Sequence, residues 1–404
     1  MGLAAGSRGS WGVVAGLAAI AFLKTACDGG APPGEGPVAD ALRALLEDVG
    51  PEVVRPALQR AGEASAALSA ATTAWRDAEA SGGDAAAARL AAQGAWWTLM
   101  EAWQEVELLQ VGPAASSLTA VAGADLRDEV YSWPTVNRCR VDQETVYARW
   151  GADDFFETSL VNVYGLDELE VLLFAQDDEN DCPSQVDINA DGTWDALGEA
   201  GVALNRAEYA VVLAAHVVKG IEELETAWDP AGGDFGGQLA SGGEAGSAYE
   251  SAQEGLNAVF DSLFYLETVT KDRKLGYAVS EGDCEGSTCI EDIESPLAGG
   301  SHRWIVVNLG AFRTLYTGGD GQGVDDLLRS LGEDELDASL LAALATAELS
   351  AAGLTTPLNE AVAADPAAVE AVYADVKAVT DLLKGDLATV LALQIPSEAA
   401  GDSD

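Results

Sequence analysis

Two acidic residues lie within an apolar segment of this chain. Residues 161–174, VNVYGLDELEVLLF, have the length and composition of a helix that is apolar nearly all round and therefore lies in a protein interior. Asp167 and Glu170 are three positions apart in it, so their carboxyl groups project from one face of that helix. Burying a carboxylate is costly unless a cation, a proton or a set of hydrogen-bond donors compensates it. The pair therefore predicts a cation-binding or proton-holding site.

The segment before this helix is a second candidate for function. Residues 131–142, YSWPTVNRCRVD, are irregular around Pro134 and carry polar and aromatic groups of the kind that functional loops display. Tyr131 or Asn137 would add an oxygen atom to a cation site. The residues expected around the acids are Tyr131, Trp133, Asn137, Arg138 and Arg140.

An alternative needs no ligand. Arg138 or Arg140 would pair with Asp167 or Glu170 in a salt-bridge network between the segment and the helix. Such pairing lowers the pKa of a carboxyl group, whereas an unliganded acid pair shares a proton and has one pKa raised. The direction of the pKa shift therefore distinguishes the two interpretations.

A polar insertion after the helix resembles the start of a calcium-binding loop. Residues 187–192, DINADG, place oxygen ligands at loop positions 1, 3 and 5 and glycine at position 6. Gly198 stands at position 12, where a bidentate glutamate is expected, and Glu199 follows it. The candidate calcium ligands are Asp187, Asn189, Asp191, Thr193, Asp195 and Glu199. The alternative is a turn followed by a helix N-cap.

The composition excludes nucleic acid as a partner. The chain has 21 basic and 67 acidic residues among 404, a formal net charge of −46. Only two histidines occur, His216 and His302, and neither belongs to an H-E-x-x-H helix. We expect His216 to be a core residue and His302 an ordinary residue near a helix start, and we assign no catalytic residue.

The N-terminus predicts export to the cell envelope. Residues 1–26 combine Arg8 with an apolar run at 11–23, as a signal peptide does. Residues 23–27, LKTAC, resemble a lipobox, so Cys27 is expected to carry a lipid that anchors the chain facing the periplasm or the cell surface. Lys24 stands where such boxes carry leucine, and simple cleavage nearby is the alternative. Residues 27–37 would form the tether.

Four further cysteines in an exported protein indicate two disulfides. Cys284 and Cys289 bracket a short turn that a bridge would close, which leaves Cys139 to pair with Cys182. A thiolate metal site is the alternative, but the spacings do not match a zinc ribbon.

Helical periodicity and the lack of any convincing strand predict an all-α fold. We expect two helical-bundle halves, residues 38–200 and 201–395, connected by irregular disulfide-containing loops, with a frayed tail at 396–404.

Several segments, in a fixed order, resemble imelysin-like proteins. The sequence Gly165-Leu166-Asp167-Glu168-Leu169-Glu170 is similar to the G-x-H-x-x-E signature of that family, with Asp167 in the place of the histidine. The other similar segments are Trp133-Pro134, Arg140-Val141-Asp142, the helix 205–228 with Arg206-Ala207 and Tyr209, Glu294-Ser295, Asn308-Leu309-Gly310 and Leu315-Tyr316-x-Gly318. The resemblance extends over roughly residues 40–395.

The resemblance implies an exported, often lipid-anchored protein of two helical bundles, from a family linked to bacterial iron uptake and classed with metallopeptidases. The signature residues carry over as Asp167 and Glu170, and Glu294 would join them from the second bundle. Replacing imidazole by a carboxylate favours hard cations over zinc, so iron, manganese or calcium is expected, with no organic cofactor.

We therefore expect an envelope lipoprotein that binds a cation and is associated with iron-uptake components. The alternatives are a metallopeptidase of the imelysin class and a structural or adaptor protein without a ligand. Because peptidase activity is implied only by the family classification, the sequence favours a protein that is not an enzyme.

Overall fold

The computed structural model describes residues 36–284 and 289–396. The predicted signal peptide, Cys27 and nearly all of the predicted tether lie outside the described residues, as does the C-terminal tail from residue 397. The described residues form helices and no strand, which confirms the predicted all-α class. None of their helices is both long enough and apolar enough to cross a membrane.

The helices differ widely in length. The α-helices of the described residues are α1 (Pro37–Asp48), α2 (Arg55–Ser81), α3 (Ala85–Val106), α4 (Leu126–Val130), α5 (Arg138–Tyr147), α6 (Phe155–Thr158), α7 (Leu166–Phe174), α8 (Asp187–Ala190), α9 (Thr193–Trp228), α10 (Phe235–Ala240), α11 (Ala252–Leu263), α12 (Gly276–Val279), α13 (Ser301–Thr317), α14 (Val324–Leu331), α15 (Asp334–Ala352), α16 (Leu358–Ala364), α17 (Pro366–Leu382) and α18 (Ala388–Val390). Three π-helical segments occur among them: Val49–Val54, Leu266–Leu275 and Leu383–Leu387. Short 3₁₀ turns lie at Gly112–Ala114, Arg149–Gly151, Val161–Val163 and Ile290–Asp292.

Long helices pack side by side in each half of the molecule. In the first half α2 packs along α3 and α9, and α7 packs against α9 and α3. In the second half α13 packs on α15, α15 on α17, and α17 on the π-helical segment 266–275. The boundary predicted between residues 200 and 201 falls close to Gly198, whose φ of 68° and ψ of 163° interrupt the helical backbone of α9. Helix α9 packs on α2 and α7 of the first half.

The two halves share one continuous hydrophobic core. Helix α3 packs on α13 across the molecule, where the indole rings of Trp97 and Trp304 lie 5.4 Å apart and those of Trp96 and Trp304 6.4 Å apart. The rings of Trp96, Trp103 and Trp304 are fully buried, so the tryptophan cluster of α3 is core packing. This arrangement brings α3, α7 and α13 to one interior region.

The apolar segment 161–174 is helical only in its later part. Val161–Val163 form a 3₁₀ turn, Tyr164 is extended, and α7 begins at Leu166. The predicted helix is wrong over its first five residues because Gly165 adopts φ 135° and ψ −167°, a backbone conformation that glycine tolerates and a helix does not. Burial of Asp167 and Glu170 is nevertheless as predicted, since all of α7 except Phe174 is buried.

The disulfides join the cysteines in the predicted pairs. Cys139 at the start of α5 is bonded to Cys182 in the polar insertion, and Cys284 is bonded to Cys289. The first bridge fixes the insertion to α5, next to the segment that contains Trp133 and Asn137.

Candidate functional site

The first turn of α7 places Asp167 in the interior. The helix is anchored by the buried side chains of Leu169 and Leu172, and the indole Nε1 of Trp96 donates a hydrogen bond to the carbonyl of Leu166 at 2.8 Å. Asp167 is 4% exposed, and its Oδ2 accepts a hydrogen bond from Ser132 Oγ at 3.0 Å. Ser132 belongs to the segment 131–142, which therefore packs against α7 as expected.

The neighbouring residue, Glu168, is fully buried and lacks a donor. Neither of its carboxyl oxygens is reached by an N–H or O–H group of the described residues. Its carboxyl group lies against that of Asp167, close enough for the two to be bridged by a proton. Burial raises the pKa of both groups, and the charge of Asp167 raises the pKa of Glu168 further. These shifts favour a protonated form of the pair.

The backbone of Gly165 lies closely against this pair. A Cβ atom at Gly165 would lie 2.9 Å from Asp167 Oδ1, 3.1 Å from Glu168 Oε2 and 3.1 Å from the carbonyl oxygen of Val130. Three oxygen atoms thus converge so close to Gly165 that a side chain at this position would clash with them. All three are hard donors of the type preferred by calcium, magnesium, manganese and ferrous ions.

Glu170 connects the two halves of the molecule. Its Oε1 accepts hydrogen bonds from the backbone N–H groups of Leu297, at 2.9 Å, and Ala298, at 2.7 Å. Burial raises the pKa of Glu170 to about 8, because the cost of removing the charge from water exceeds the gain from those two bonds. Glu170 is thus held by backbone donors of the second half.

Glu294 is surrounded by donors and a cation. Its Oε1 accepts from Tyr131 Oη at 2.6 Å and from Gln104 Nε2 at 3.0 Å, and Lys274 Nζ lies 3.2 Å away. Lys274 also lies 2.5 Å from Glu107 Oε1, and both side chains are fully buried. We call Gln104, Glu107, Tyr131, Lys274 and Glu294 the lysine cluster.

Aromatic rings and one arginine lie next to the lysine cluster. The ammonium group of Lys274 lies 6.0 Å from the ring centroid of Trp133 and 5.7 Å from that of Tyr265. Arg127 lies 3.6 Å from Glu107 Oε2. The interior cations therefore neutralise Glu107 and Glu294, and no ion pair of the described residues involves Asp167, Glu168 or Glu170.

The arginine alternative is wrong. Arg138 pairs with Asp181 at 3.4 Å, and Arg140 pairs with Glu144 at 3.2 Å, so neither guanidinium group neutralises Asp167 or Glu170. Both arginines belong to α5, which begins at Arg138, and their side chains contact acids close to that helix instead of the acids of α7.

Of the five residues expected around the acids, two lie in the same interior region. Tyr131 binds Glu294, and Trp133 packs on Tyr277 at 5.9 Å and lies near Lys274. Asn137 instead caps α5 by accepting a hydrogen bond from the N–H group of Arg140 at 3.0 Å.

The three expected metal ligands are all buried but do not converge. Asp167 faces Ser132, Glu170 faces the backbone at 297–298, and Glu294 faces the lysine cluster. Among the described residues, no group of three or more His, Cys, Asp or Glu side chains is placed to hold a metal ion. Any cation at the acids of α7 would therefore need backbone oxygen or water as further ligands.

The calcium-loop candidate forms a helix, a turn and a second helix. Residues 187–190 are α8, Gly192 is left-handed with φ 68°, and α9 starts at Thr193. The amide of Asn189 donates to the carbonyl of Cys182 at 2.8 Å, and the hydroxyl of Thr193 donates to the carbonyl of Ile188 at 3.3 Å. The four acidic candidates are exposed: Asp187, Asp191, Asp195 and Glu199. The segment thus uses two of its six candidates for local hydrogen bonds.

The histidines have separate surroundings. His216 stacks on Phe156 with ring centroids 3.9 Å apart, and its Nε2 lies 3.2 Å from Glu129 Oε2. Burial lowers the pKa of His216 and that of His302. Neither ring belongs to the acid site of α7.

Sequence reasoning missed Glu168 and three members of the lysine cluster, which are Gln104, Glu107 and Lys274. Glu168 was detectable, because a helix that is apolar all round buries every acid it carries, including one on a different face from Asp167 and Glu170. Lys274 stands in the polar sequence KDRKL and gives no such signal. Its pairing with Glu107, far away in the chain, exists only in the folded molecule.

Comparison with known proteins finds related chains. The family model described as Imelysin, a peptidase family, matches residues 54–385. A protein from Parabacteroides distasonis named as an iron-regulated protein A precursor has a similar fold, with a TM-score of 0.67 and 14% identity over 90% of this chain and 96% of that one. An imelysin-like protein from Psychrobacter arcticum has a TM-score of 0.64 and 20% identity over 88% of this chain and 97% of that one. No curated protein matches.

Proposed function

The chain belongs to the imelysin family, and from this premise we propose that it is a lipid-anchored envelope protein that binds a hard divalent cation at Asp167 and Glu168. The observation that carries the proposal is the carboxyl group of Glu168, which is fully buried without a donor from the described residues. An ionised group in such a place is strongly destabilising, so it must hold a proton or face a cation.

The oxygen atoms around Gly165 fit a cation of this class. Asp167 Oδ1, Glu168 Oε2 and the carbonyl oxygen of Val130 converge beside the backbone of Gly165, and they would supply three ligands once they had moved apart to admit the ion. Water would complete the shell. The donors are all oxygen, which favours calcium, manganese or ferrous iron over zinc.

The rest of the molecule supports this site in three ways. Ser132 orients Asp167 through a hydrogen bond. The second half closes over α7 through Glu170, whose carboxyl group is bound by the backbone of Leu297 and Ala298. The lysine cluster neutralises Glu107 and Glu294, so these acids would not compete for the cation.

The export signal and the lipidation candidate Cys27 motivate an envelope location, anchored by an N-terminal lipid and facing the periplasm or the cell surface. The similar protein from Parabacteroides distasonis is named for regulation by iron, and this name makes ferrous iron the first cation to test. We include in the proposal that the protein is associated with iron-uptake components.

The test is titration of the metal-free protein, without its predicted signal peptide, with ferrous, manganese and calcium ions in a calorimeter. We expect one ion of at least one kind to bind per chain, and Glu168→Gln and Asp167→Asn to weaken binding by at least about tenfold, the equivalent of roughly 1.4 kcal/mol.

Asp337→Asn is the matched control. Asp337 is also a buried acid, but Arg329 lies 3.4 Å from it and Tyr316 donates to it, so it belongs to another cluster. Its replacement should leave the titration unchanged. Absence of heat with all three ions, or equal binding by Glu168→Gln and Asp337→Asn, would contradict the proposed function.

A further inference from the structure

A cleft of about 650 Å³ lies between α5 and the segment that leads from α5 to α7. Its volume lies within the range of small-molecule sites, which is about 300–1,000 Å³. The acids of α7 do not line it, so it is separate from the proposed cation site.

Two arginines form one wall of this cleft. Arg149 binds the buried carboxylate of Glu144 through two parallel hydrogen bonds, from Nε at 2.8 Å and from the terminal nitrogen at 2.5 Å. Arg140 reaches the same carboxylate at 3.2 Å. The side chain of Glu144 is only 2% exposed, whereas those of Arg140 and Arg149 are 42% and 50% exposed.

This arrangement orients the guanidinium groups but leaves some of their N–H donors without a hydrogen-bond acceptor among the described residues. One carboxylate neutralises one of the two arginines, so the wall keeps a positive charge and unused N–H groups that remain accessible from the cleft. A guanidinium group whose orientation is already fixed loses less freedom when it binds a planar anion. Carboxylates are recognised by arginine in this way.

The opposite side of the cleft is mixed. Asn162 and Ser159 add polar groups, while Phe155, Val163 and Leu160 add apolar surface. Leu160 is 74% exposed. A ligand with an acidic end and an aliphatic body would contact both kinds of surface.

We propose that this cleft binds a small molecule that carries a carboxylate group, held by Arg140 and Arg149. The remainder of the chain strengthens the argument, because only 21 of its residues are basic and its net charge is −46. Most of such a surface repels anions, and a wall with two fixed guanidinium groups is a place where a carboxylate is accepted. Asp154 also lines the cleft and offsets part of this positive charge, so ligands that also carry a donor group would be favoured.

The experiment titrates the protein with succinate and tricarballylate, in metal-depleted buffer so that the proposed cation site does not contribute. We expect saturable binding of at least one of the two acids. Arg149→Gln should weaken it at least about tenfold, since a charge-assisted hydrogen bond contributes more than about 1.4 kcal/mol.

Arg138→Gln is the matched control, because Arg138 also lies on α5 but pairs with Asp181 and does not line the cleft. It should bind like the unchanged protein. Leu160→Trp provides a second variant that fills the cleft without disturbing Glu144, and it should also abolish binding while leaving the melting temperature unchanged.

Three results would overturn the proposal. The first is no binding of either acid up to roughly 10 mM, the range of the weakest specific sites. The second is equal binding by Arg149→Gln, Leu160→Trp and Arg138→Gln. The third is binding of inorganic phosphate, titrated in parallel, with neither carboxylic acid bound.

Discussion

The ammonium nitrogen of Lys274 lies 2.5 Å from Glu107 Oε1, with both side chains fully buried where the two halves of the molecule meet. Lys274 also reaches Glu294 and donates to Gln104 Oε1 at 2.6 Å. One lysine thus compensates acids from two distant parts of the chain. Within residues 36–284 and 289–396 the acids of α7 have no such cation, and this difference separates a structural ion-pair network from a candidate binding site.

Lys274→Met should destabilise the protein by about 3–5 kcal/mol, because it leaves Glu107 and Glu294 buried without their cation. Urea denaturation at pH 7 measures the change. Lys219→Met serves as the control, since Lys219 forms an exposed pair with Glu223 at 3.4 Å and should cost less than about 1 kcal/mol. If both variants lose the same small amount, the lysine cluster does not hold the halves together.

Gly165→Ala should destabilise the protein by roughly 1–3 kcal/mol and weaken cation binding. The residue has φ 135°, and an added Cβ would lie 2.9 Å from Asp167 Oδ1. Gly310→Ala is the control, because Gly310 lies within α13 and its Cβ would meet nothing within 4 Å. That change should be neutral or slightly stabilising. Thermal unfolding and cation titration of both variants check this, and an unaltered titration with Gly165→Ala would place the cation elsewhere.

Glu170 should make the protein less stable as the pH rises. Its pKa is about 8 in the folded protein against 4.5 as a reference, so the folded state binds the proton more tightly than the unfolded chain. The stabilisation is full below pH 4.5 and is lost progressively as the pH rises to about 8. Urea denaturation between pH 5 and pH 9 should therefore show a decline to which Glu170 contributes.

Glu170→Gln isolates that contribution. The amide oxygen of glutamine can still accept from Leu297 and Ala298, so the variant keeps the connection between the halves without a buried charge. The variant should be more stable than the unchanged protein at high pH, and the difference in the free energy of unfolding should grow as the pH rises. Parallel pH profiles of the two proteins would show that Glu170 titrates normally.

Much of this architecture could be predicted from the sequence because it depends on local patterns. Helical periodicity gave the all-α class, and the apolar surroundings of Asp167 and Glu170 implied their burial. The partners of these acids could not be predicted in the same way. Glu170 binds the backbone of Leu297 and Ala298 because elements that are distant in the chain pack together. Arg140 binds Glu144 rather than Asp167 because Glu144 lies one turn further along the same helix.

Glu168 illustrates a different limit. Its burial follows from the same composition that buries Asp167, but the close approach of its Oε2 to the backbone of Gly165 exists only in the folded molecule. Because Gly165 interrupts the apolar segment, α7 starts one residue before Asp167, and the carboxyl groups of Asp167 and Glu168 interact in the first turn of the helix. A pattern that treats the whole segment as a regular helix misses this.

Cation binding should release a proton. Burial raises the pKa values of Asp167 and Glu168, which favours a protonated form of the pair, so a divalent ion that binds there would compete with the proton. Calorimetric titrations in PIPES and in Tris, which differ in ionisation enthalpy, measure the number released. We expect a number approaching one near neutral pH, with affinity rising by up to about tenfold per pH unit.

The variant Glu168→Gln separates this exchange from simple attraction to an acidic protein. It removes the shared proton while nearly all of the negative charge of the chain remains. A cation attracted only by the acidic surface would bind this variant with the same affinity as the unchanged protein. Its binding would release no proton from either protein, and added salt would strongly lower its affinity. A cation that binds at α7 would lose affinity in the variant. Its binding to the unchanged protein would depend much less on salt, because the carboxyl groups of Asp167 and Glu168 are shielded from the solvent.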